Sequence, residues 1–259
     1  MIRRINKPIP APEETGSRSY EWISSQYDWT IALCTGGQNL RTRLAQLDDM
    51  APGDRVLYVG VGSGEEAIEA ARRGIQVTCL DLSSSMIERA RKRFQRAGLT
   101  ADFVCADLMH YATEQPFDAV ACNFFLNIFS PSVMQEVLTR VVSLVRPGGK
   151  LVIADFAPAH QGNAFLRAAH RIYYRAANVA YWTVGLCALH PIYIYADYYP
   201  QLGLTLKRTE RFRVFARGPW FFQTTTAVKD RWLDAQVFGR SRRMATSERS
   251  YFAAASAAS

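Results

Sequence analysis

No block of lysine and arginine of the kind that tracks a nucleic-acid backbone occurs in this chain of 259 residues, although its net charge is +8 and its isoelectric point about 9.4. A diffuse positive balance fits solubility or an anionic membrane surface better than nucleic acid. Cysteine is sparse. Cys34, Cys79, Cys105, Cys122 and Cys187 show no paired spacing, so reduced, structural thiols in a cytoplasmic protein are expected, three of them in buried strands. No metal-ligand constellation is visible. The N-terminus carries Arg3, Arg4 and prolines but no apolar core, so no signal peptide is expected. One charge-free stretch, Ala176 to Ala196, approaches the length of a membrane span. Asn178, Thr183, His190 and Pro191 interrupt it and argue against a true span.

What is present is a globular composition, 49% apolar and 21% charged, in a length that suits one α/β domain. The chain is organised around residues 55–64, Arg-Val-Leu-Tyr-Val-Gly-Val-Gly-Ser-Gly. An apolar strand, Val56 to Val59, runs into Gly60, Gly62 and Gly64, and a helical pattern follows from Glu65 to Arg73. Glycine lets a ligand approach the backbone, and the amides at the helix start can hold its polar groups. The next strand, Gln76 to Leu80, ends in Asp81. A carboxylate about 20 residues after the glycines suits the two hydroxyls of a ribose.

The alternation continues: a helix from the serines after Asp81 to Ala97, a strand from Ala101 to Cys105, a strand from Phe117 to Asn123, a helix over about 131–145, and a strand from Lys150 to Phe156 after a Pro-Gly-Gly turn. Such alternation predicts a parallel sheet covered on both faces. Its ligands sit beyond the carboxyl ends of the strands, which here are Gly60–Gly64, Asp81–Leu82, Asp107–Leu108, Asn123–Asn127 and Asp155–Pro158.

Two families share this geometry, the dinucleotide-binding Rossmann domains and the class I S-adenosylmethionine (SAM) methyltransferases. A dinucleotide site wants G-x-G-x-x-G with the pyrophosphate on the helix start. Here the glycines run G-x-G-x-G, and Glu65-Glu66 would repel a pyrophosphate. From about Asp54 to Ala157, and more weakly to Lys229, the sequence resembles the class I SAM methyltransferases, most of all the ubiquinone/menaquinone C-methyltransferase-like group. The resemblance implies an α/β fold, a Rossmann-like, mostly parallel seven-stranded sheet closed by a C-terminal antiparallel hairpin, with Thr205 to Phe212 and Trp220 to Lys229 as the last two strands. It divides the chain into an N-terminal arm and helical cover (1–46), a SAM-binding domain (47–230) with a lid insertion at about 158–200, and a C-terminal tail (231–259).

The resemblance also assigns residues. Gly60, Gly62 and Gly64 lie under the methionine part of SAM, Asp81 takes the ribose hydroxyls, Leu82 and Met86 flank the adenine, and Asp107 accepts from the adenine amino group with Leu108 beside it. Asn123 and Phe124 face the methionine or the transferred methyl. The family usually has an acid two residues before the first glycine, where this chain has Tyr58. A tyrosine accepts one hydrogen bond but supplies no charge, and Glu65 or Glu66 is the expected compensation.

The lid has two features. Arg167, Arg171 and Arg175 share a helix face, and an aromatic, apolar stretch follows them. Together they suit a cover over an apolar substrate, or an interfacial helix on anionic headgroups. A phenol, enol or quinol acceptor needs a general base. His190 is the first candidate because its ordinary pKa is near neutral, followed by Tyr193, Tyr198, Asp197 and Tyr199; His160 and His170 are weaker. Residues Tyr193 to Gln201 read as a helix. The expected function is methyl transfer from SAM to a small lipophilic acceptor such as a quinone precursor, isoprenoid or lipid. The alternatives are transfer of another group of SAM, such as aminocarboxypropyl, prompted by Tyr58, or a catalytically silent binding protein. Methylation of nucleic acid is disfavoured, because Asn123-Phe-Phe-Leu stands where such enzymes often carry an N/D-P-P-Y/F motif.

Overall fold

Apolar runs buried on both faces set the centre of the sheet. In the computed structural model, which describes residues 37–158, 164–183, 191–214 and 218–230, β1 (Arg55–Val59) lies between β2 (Gln76–Asp81) and β4 (Phe117–Asn123). All three are almost wholly buried, as expected of parallel strands with helices on both sides. β3 (Asp102–Cys105), β5 (Val145–Phe156), β6 (Leu204–Arg213) and β7 (Trp220–Lys229) complete seven strands in the order β3-β2-β1-β4-β5-β7-β6. The first five are parallel, and β7 runs antiparallel to both β5 and β6.

Two cores sandwich the sheet. On one face Leu57, Val59, Val120, Cys122, Leu151 and Ile153 pack on Met134, Leu138 and Val141 of α4 (Pro131–Ser143). On the other, Val56, Tyr58, Ala119 and Ala121 meet Ala67 and Ala70 of α2 (Glu65–Arg72) and Ile87, Ala90 and Phe94 of α3 (Ser84–Arg96). Ser83 caps α3, its hydroxyl accepting from the Met86 amide at 3.4 Å, as the serine run forecast. The short α1 (Gln38–Leu44) packs against α2 and the β6–β7 hairpin. α5 (Ala164–Thr183) is the helix that carries the arginines of the lid.

Three local expectations change. β5 begins at Val145 rather than Lys150. Val145 pairs with Phe117, the chain bulges through Arg146–Gly149, and pairing resumes at Ala119–Lys150. The Pro-Gly-Gly turn is thus an interruption inside a longer strand. The segment from Tyr193 to Gln201 is not a helix but two short 3₁₀ turns, Tyr195–Asp197 and Pro200–Leu202, because Pro200 has no amide hydrogen to continue one. Cys105 is exposed, unlike the buried Cys79 and Cys122, since β3 is the edge strand. Residues 1–36 of the expected arm and helical cover, the histidines His160 and His190, and the tail from 231 lie outside the described residues.

Candidate active site

The sheet order reverses between β1 and β4, the switch point where such sheets open a ligand crevice. The β1 glycine turn stands there in left-handed conformation, with φ of 64° at Gly60, 52° at Gly62 and 71° at Gly64. Gly60 is also pressed from outside. Phe124, the only non-glycine residue with positive φ among the described residues (50°), turns the chain at the end of β4 and sends Phe125 across the glycine. A Cβ built on Gly60 would stand 2.4 Å from the Phe125 ring. Gly60→Ala should therefore cost both the left-handed penalty and a collision, about 2 kcal/mol or more. A fall in Tm of roughly 5 °C or more in a melting curve is the expected reading, and an unchanged Tm would show that Phe125 yields freely.

Asp81 closes the other side of the turn. Its carboxylate accepts from the Ser83 amide at 2.9 Å and from the Gly62 amide at 3.2 Å. Burial pushes its pKa up, and these amides oppose the rise. Leu82 projects into solvent beside it, and Met86 is half-buried on the first turn of α3. Asp107 is exposed, takes the Met109 amide at 2.9 Å and lies 3.3 Å from His110 Nδ1, while Leu108 is buried. The residues expected around a nucleoside are thus gathered along the ends of β1, β2 and β3.

Tyr58 is not among them. It is 1% exposed inside the core, its hydroxyl 3.9 Å from Met50 Sδ, and burial raises its pKa well above normal. The residue sits on a strand enclosed by α2 and α3, so its ring serves packing. The nearest buried carboxylate of the turn is on the next element. Glu66 on the first turn of α2 is 3% exposed, accepts from Asn123 Nδ2 at 2.9 Å, and pairs with Arg43 of α1 at 2.6 Å. Arg43 also reaches Glu65 at 3.0 Å. Asn123 Oδ1 is buried without a partner, which normally costs about 1–3 kcal/mol. A carboxylate and an unused carbonyl therefore converge at the end of β4, and this pair of acceptors fits a cationic amino group such as that of SAM.

Beyond Asn123 the surface turns aromatic. Phe124 meets Phe156 and Phe222 edge-on at 5.7 and 5.6 Å, and Phe156 meets Tyr174 of α5 at 5.2 Å. On the other side of β5, Asp155 is enclosed. It accepts from Asn127 Nδ2 at 2.9 Å, from the Phe156 amide at 2.7 Å and from the Tyr195 hydroxyl. Burial pushes its pKa up to about 7 against these three donors. Sequence placed Asp155 on the rim but did not single it out; its position at a strand end was the available signal. Tyr193 spends its hydroxyl on the Phe129 carbonyl at 2.8 Å, and Tyr198 is half-buried on the neighbouring turn. A shallow groove of about 510 Å³ along α1, α2 and α3, lined by Leu44, Glu65, Arg72 and Arg96 among others, lies on the helical layer.

The fold is the Rossmann-like, seven-stranded fold of the class I SAM-dependent methyltransferases, and residues 56–149 match the family model described as a methyltransferase domain. The chain is 33% identical over 145 residues to the demethylmenaquinone methyltransferase of Beutenbergia cavernae, covering 53% of this chain and 56% of that one. It is 35% identical over 105 residues to the ubiquinone biosynthesis O-methyltransferase of Xanthomonas euvesicatoria, covering 39% and 43%. The chain thus spans about half the length of these two curated relatives. Among solved structures it superposes on the 1,6-didemethyltoxoflavin-N1-methyltransferase of Burkholderia thailandensis with a TM-score of 0.59 at 20% identity, covering 87% of this chain and 93% of that one. That structure was solved with its substrate and S-adenosylhomocysteine bound. SAM is the cofactor of this class of domain.

Proposed function

We propose that the protein transfers a methyl group from SAM to a small lipophilic acceptor such as a quinone precursor, an isoprenoid or another lipid. The observation that carries this reading is the junction at Asn123–Phe124, where a polar cradle gives way directly to an aromatic wall. In this reading Asp81 holds the ribose, Leu82, Met86, Asp107 and Leu108 border the adenine, and the Gly60–Gly64 turn supports the methionine end. Glu66 and Asn123 Oδ1 take the amino group that a strand acid would otherwise bind. When bound, SAM supplies a methyl carbon already activated by its sulfonium. The protein's task is then alignment and exclusion of water, which Phe124, Phe156 and Phe222 serve. A phenol or enol acceptor also gives up a proton, and the receiving groups come from the segment with His190, Tyr193 and Tyr198. The test is mass spectrometry of the nucleoside product after incubation with SAM and a lipid extract of the source cells. S-adenosylhomocysteine above the no-extract control is expected. Methylthioadenosine alone would mean that another group is transferred, and no product would overturn the reading.

A lipid surface is the second part of the proposal. On α5, Phe165, Ile172 and Val179 recur at seven-residue steps and are 76%, 70% and 48% exposed, with the exposed Arg171 and Arg175 along one edge. No helix among the described residues is long and apolar enough to cross a membrane. An apolar stripe edged with arginine suits shallow insertion among anionic headgroups. Co-sedimentation with vesicles of phosphatidylcholine and phosphatidylglycerol should exceed that with phosphatidylcholine alone. Ile172→Asp should weaken it roughly tenfold, the effect of keeping one large apolar side chain in water. Equal binding of both vesicle types would sink this part.

A further inference from the structure

Two tyrosines of the segment before β6 take hold of the loop that leaves β4. Tyr193 donates its hydroxyl to the Phe129 carbonyl at 2.8 Å. Tyr195 is 2% exposed and donates to the Asp155 carboxylate, which accepts in turn from Asn127 Nδ2 at 2.9 Å. Asn127 and Phe129 lie in and just after a single 3₁₀ turn, Leu126–Ile128. That turn holds itself weakly. The amides of Ile128 and Phe129 reach the carbonyls of Phe125 and Leu126 only at 3.5 Å, longer than the usual span of about 2.7–3.2 Å. The loop also begins on Phe124 at a φ of 50°, a backbone shape that persists only where the surroundings enforce it. Bonds from outside the loop therefore set its position.

The other side of the loop bears on the glycine turn. The Phe125 ring leaves no room for a Cβ on Gly60, which would stand 2.4 Å from it. The rings of Phe125 and Phe129 meet edge-on at 5.3 Å. Contacts thus run without a break from Tyr193 and Tyr195, through the loop, to Gly60. We infer that Tyr195 is a positioning residue for the cofactor: its hydroxyl, acting through Asp155 and Asn127, holds the β4 loop so that Phe125 keeps the glycine turn in the shape that binds SAM. The inference rests on the reading that the Gly60–Gly64 turn supports the methionine end of SAM. Tyr195 itself touches no ligand. It acts from the opposite side of the loop.

Tyr195→Phe keeps the ring and removes only the hydroxyl. It should weaken binding of S-adenosylhomocysteine roughly 3- to 30-fold in a calorimetric titration, the range of an interaction passed through a packed neighbour. Asn127→Ala cuts the same tie from the loop side and should weaken binding to the same extent. A hydroxyl with a purely structural role would lower Tm too, so the deciding measurement is a double-mutant cycle with Phe125→Ala. Once Phe125 is gone the tie has nothing to position. Adding Tyr195→Phe to Phe125→Ala should then change affinity for S-adenosylhomocysteine less than about twofold. Full affinity in Tyr195→Phe, or a further loss of the same size in the Phe125→Ala background, would overturn the inference. Titration of the wild type comes first. No binding there removes the cofactor-site reading and this inference with it, whereas normal binding with an unaffected Tyr195→Phe removes the inference alone.

Discussion

Glu66→Gln should weaken binding of S-adenosylhomocysteine by about 10- to 100-fold and leave binding of methylthioadenosine unchanged. The two ligands share the nucleoside, but only the first carries a charged amino group and carboxylate. Removing the charge from a charged hydrogen bond forfeits part or all of its worth of about 1.5–3 kcal/mol, and 1.4 kcal/mol is a factor of ten in affinity. The fold should tolerate the change. Arg43 loses its 2.6 Å partner on Glu66 but keeps Glu65 at 3.0 Å, and the glutamine oxygen can still accept from Asn123 Nδ2. Calorimetric titration of both ligands into both proteins reads the result. A parallel loss for methylthioadenosine would mean a general collapse of the crevice, and no loss for either would return the amino group to some other residue. Tyr58→Asp is the converse variant. It places a carboxylate in a core position that is 1% exposed, beside the α2 helix that carries Glu66. It should destabilise the protein rather than restore an acid at the strand end.

Asp155→Asn should remove a large part of the pH dependence of stability between about pH 4 and pH 7. The folded-state pKa of Asp155 is raised to about 7 from an ordinary value of 3.8, so the folded protein holds this proton more tightly than the unfolded chain does. Stability is therefore highest at acid pH, falls as pH rises through that window, and reaches its lowest level above pH 7. A rise of about three units corresponds to about 4 kcal/mol at full effect. The asparagine carries no charge to bury. Its oxygen can still accept from Asn127 and the Phe156 amide, and its amide faces the Tyr195 hydroxyl. Thermal melts at pH 5 and pH 8 should show the wild type losing on the order of 10 °C relative to the variant. Identical shifts in both proteins would show that Asp155 stays ionised when folded.

The candidate site was unevenly legible in the sequence. Gly60 to Gly64 and Asp81 could be read directly, because a strand, a tight turn and a helix are specified by neighbours in the chain. The nucleoside side of the crevice follows from the same rule, since parallel strands deliver their ends to one edge. Asp107 and Leu108 were placed in that way. The failures were also local. Proline inside 193–201 was outvoted by the surrounding pattern, and the strand before Lys150 was hidden by a bulge that leaves its pairing to Phe117.

Burial and pairing across long stretches of chain were not legible. Glu66 meets Asn123 from 57 residues away and Arg43 from 23. Nothing in the spacing says which of two adjacent glutamates turns inward. Helix phase decides it, by pointing Glu66 under the β4 end and leaving Glu65 half-exposed. The same holds for Tyr58, whose position two before the first glycine suggested a ligand and whose enclosure by α2 and α3 makes it core. His170 and Asp155 carry ordinary residue types at ordinary positions; the unpaired ring nitrogens of the one and the raised pKa of the other exist only once Phe221, Phe156 and Tyr195 have closed around them. By itself the sequence determined the alternation of strands and helices and the glycine turn, because these depend on periodicity and on contacts made within a few residues; the class of cofactor came from its resemblance to the class I SAM methyltransferases. The tertiary structure alone decided which of the two adjacent carboxylates is buried at the end of β4, which aromatic rings form the wall and which polar atoms are left unpaired. Those follow from desolvation and distance, and both are set only when remote segments pack together.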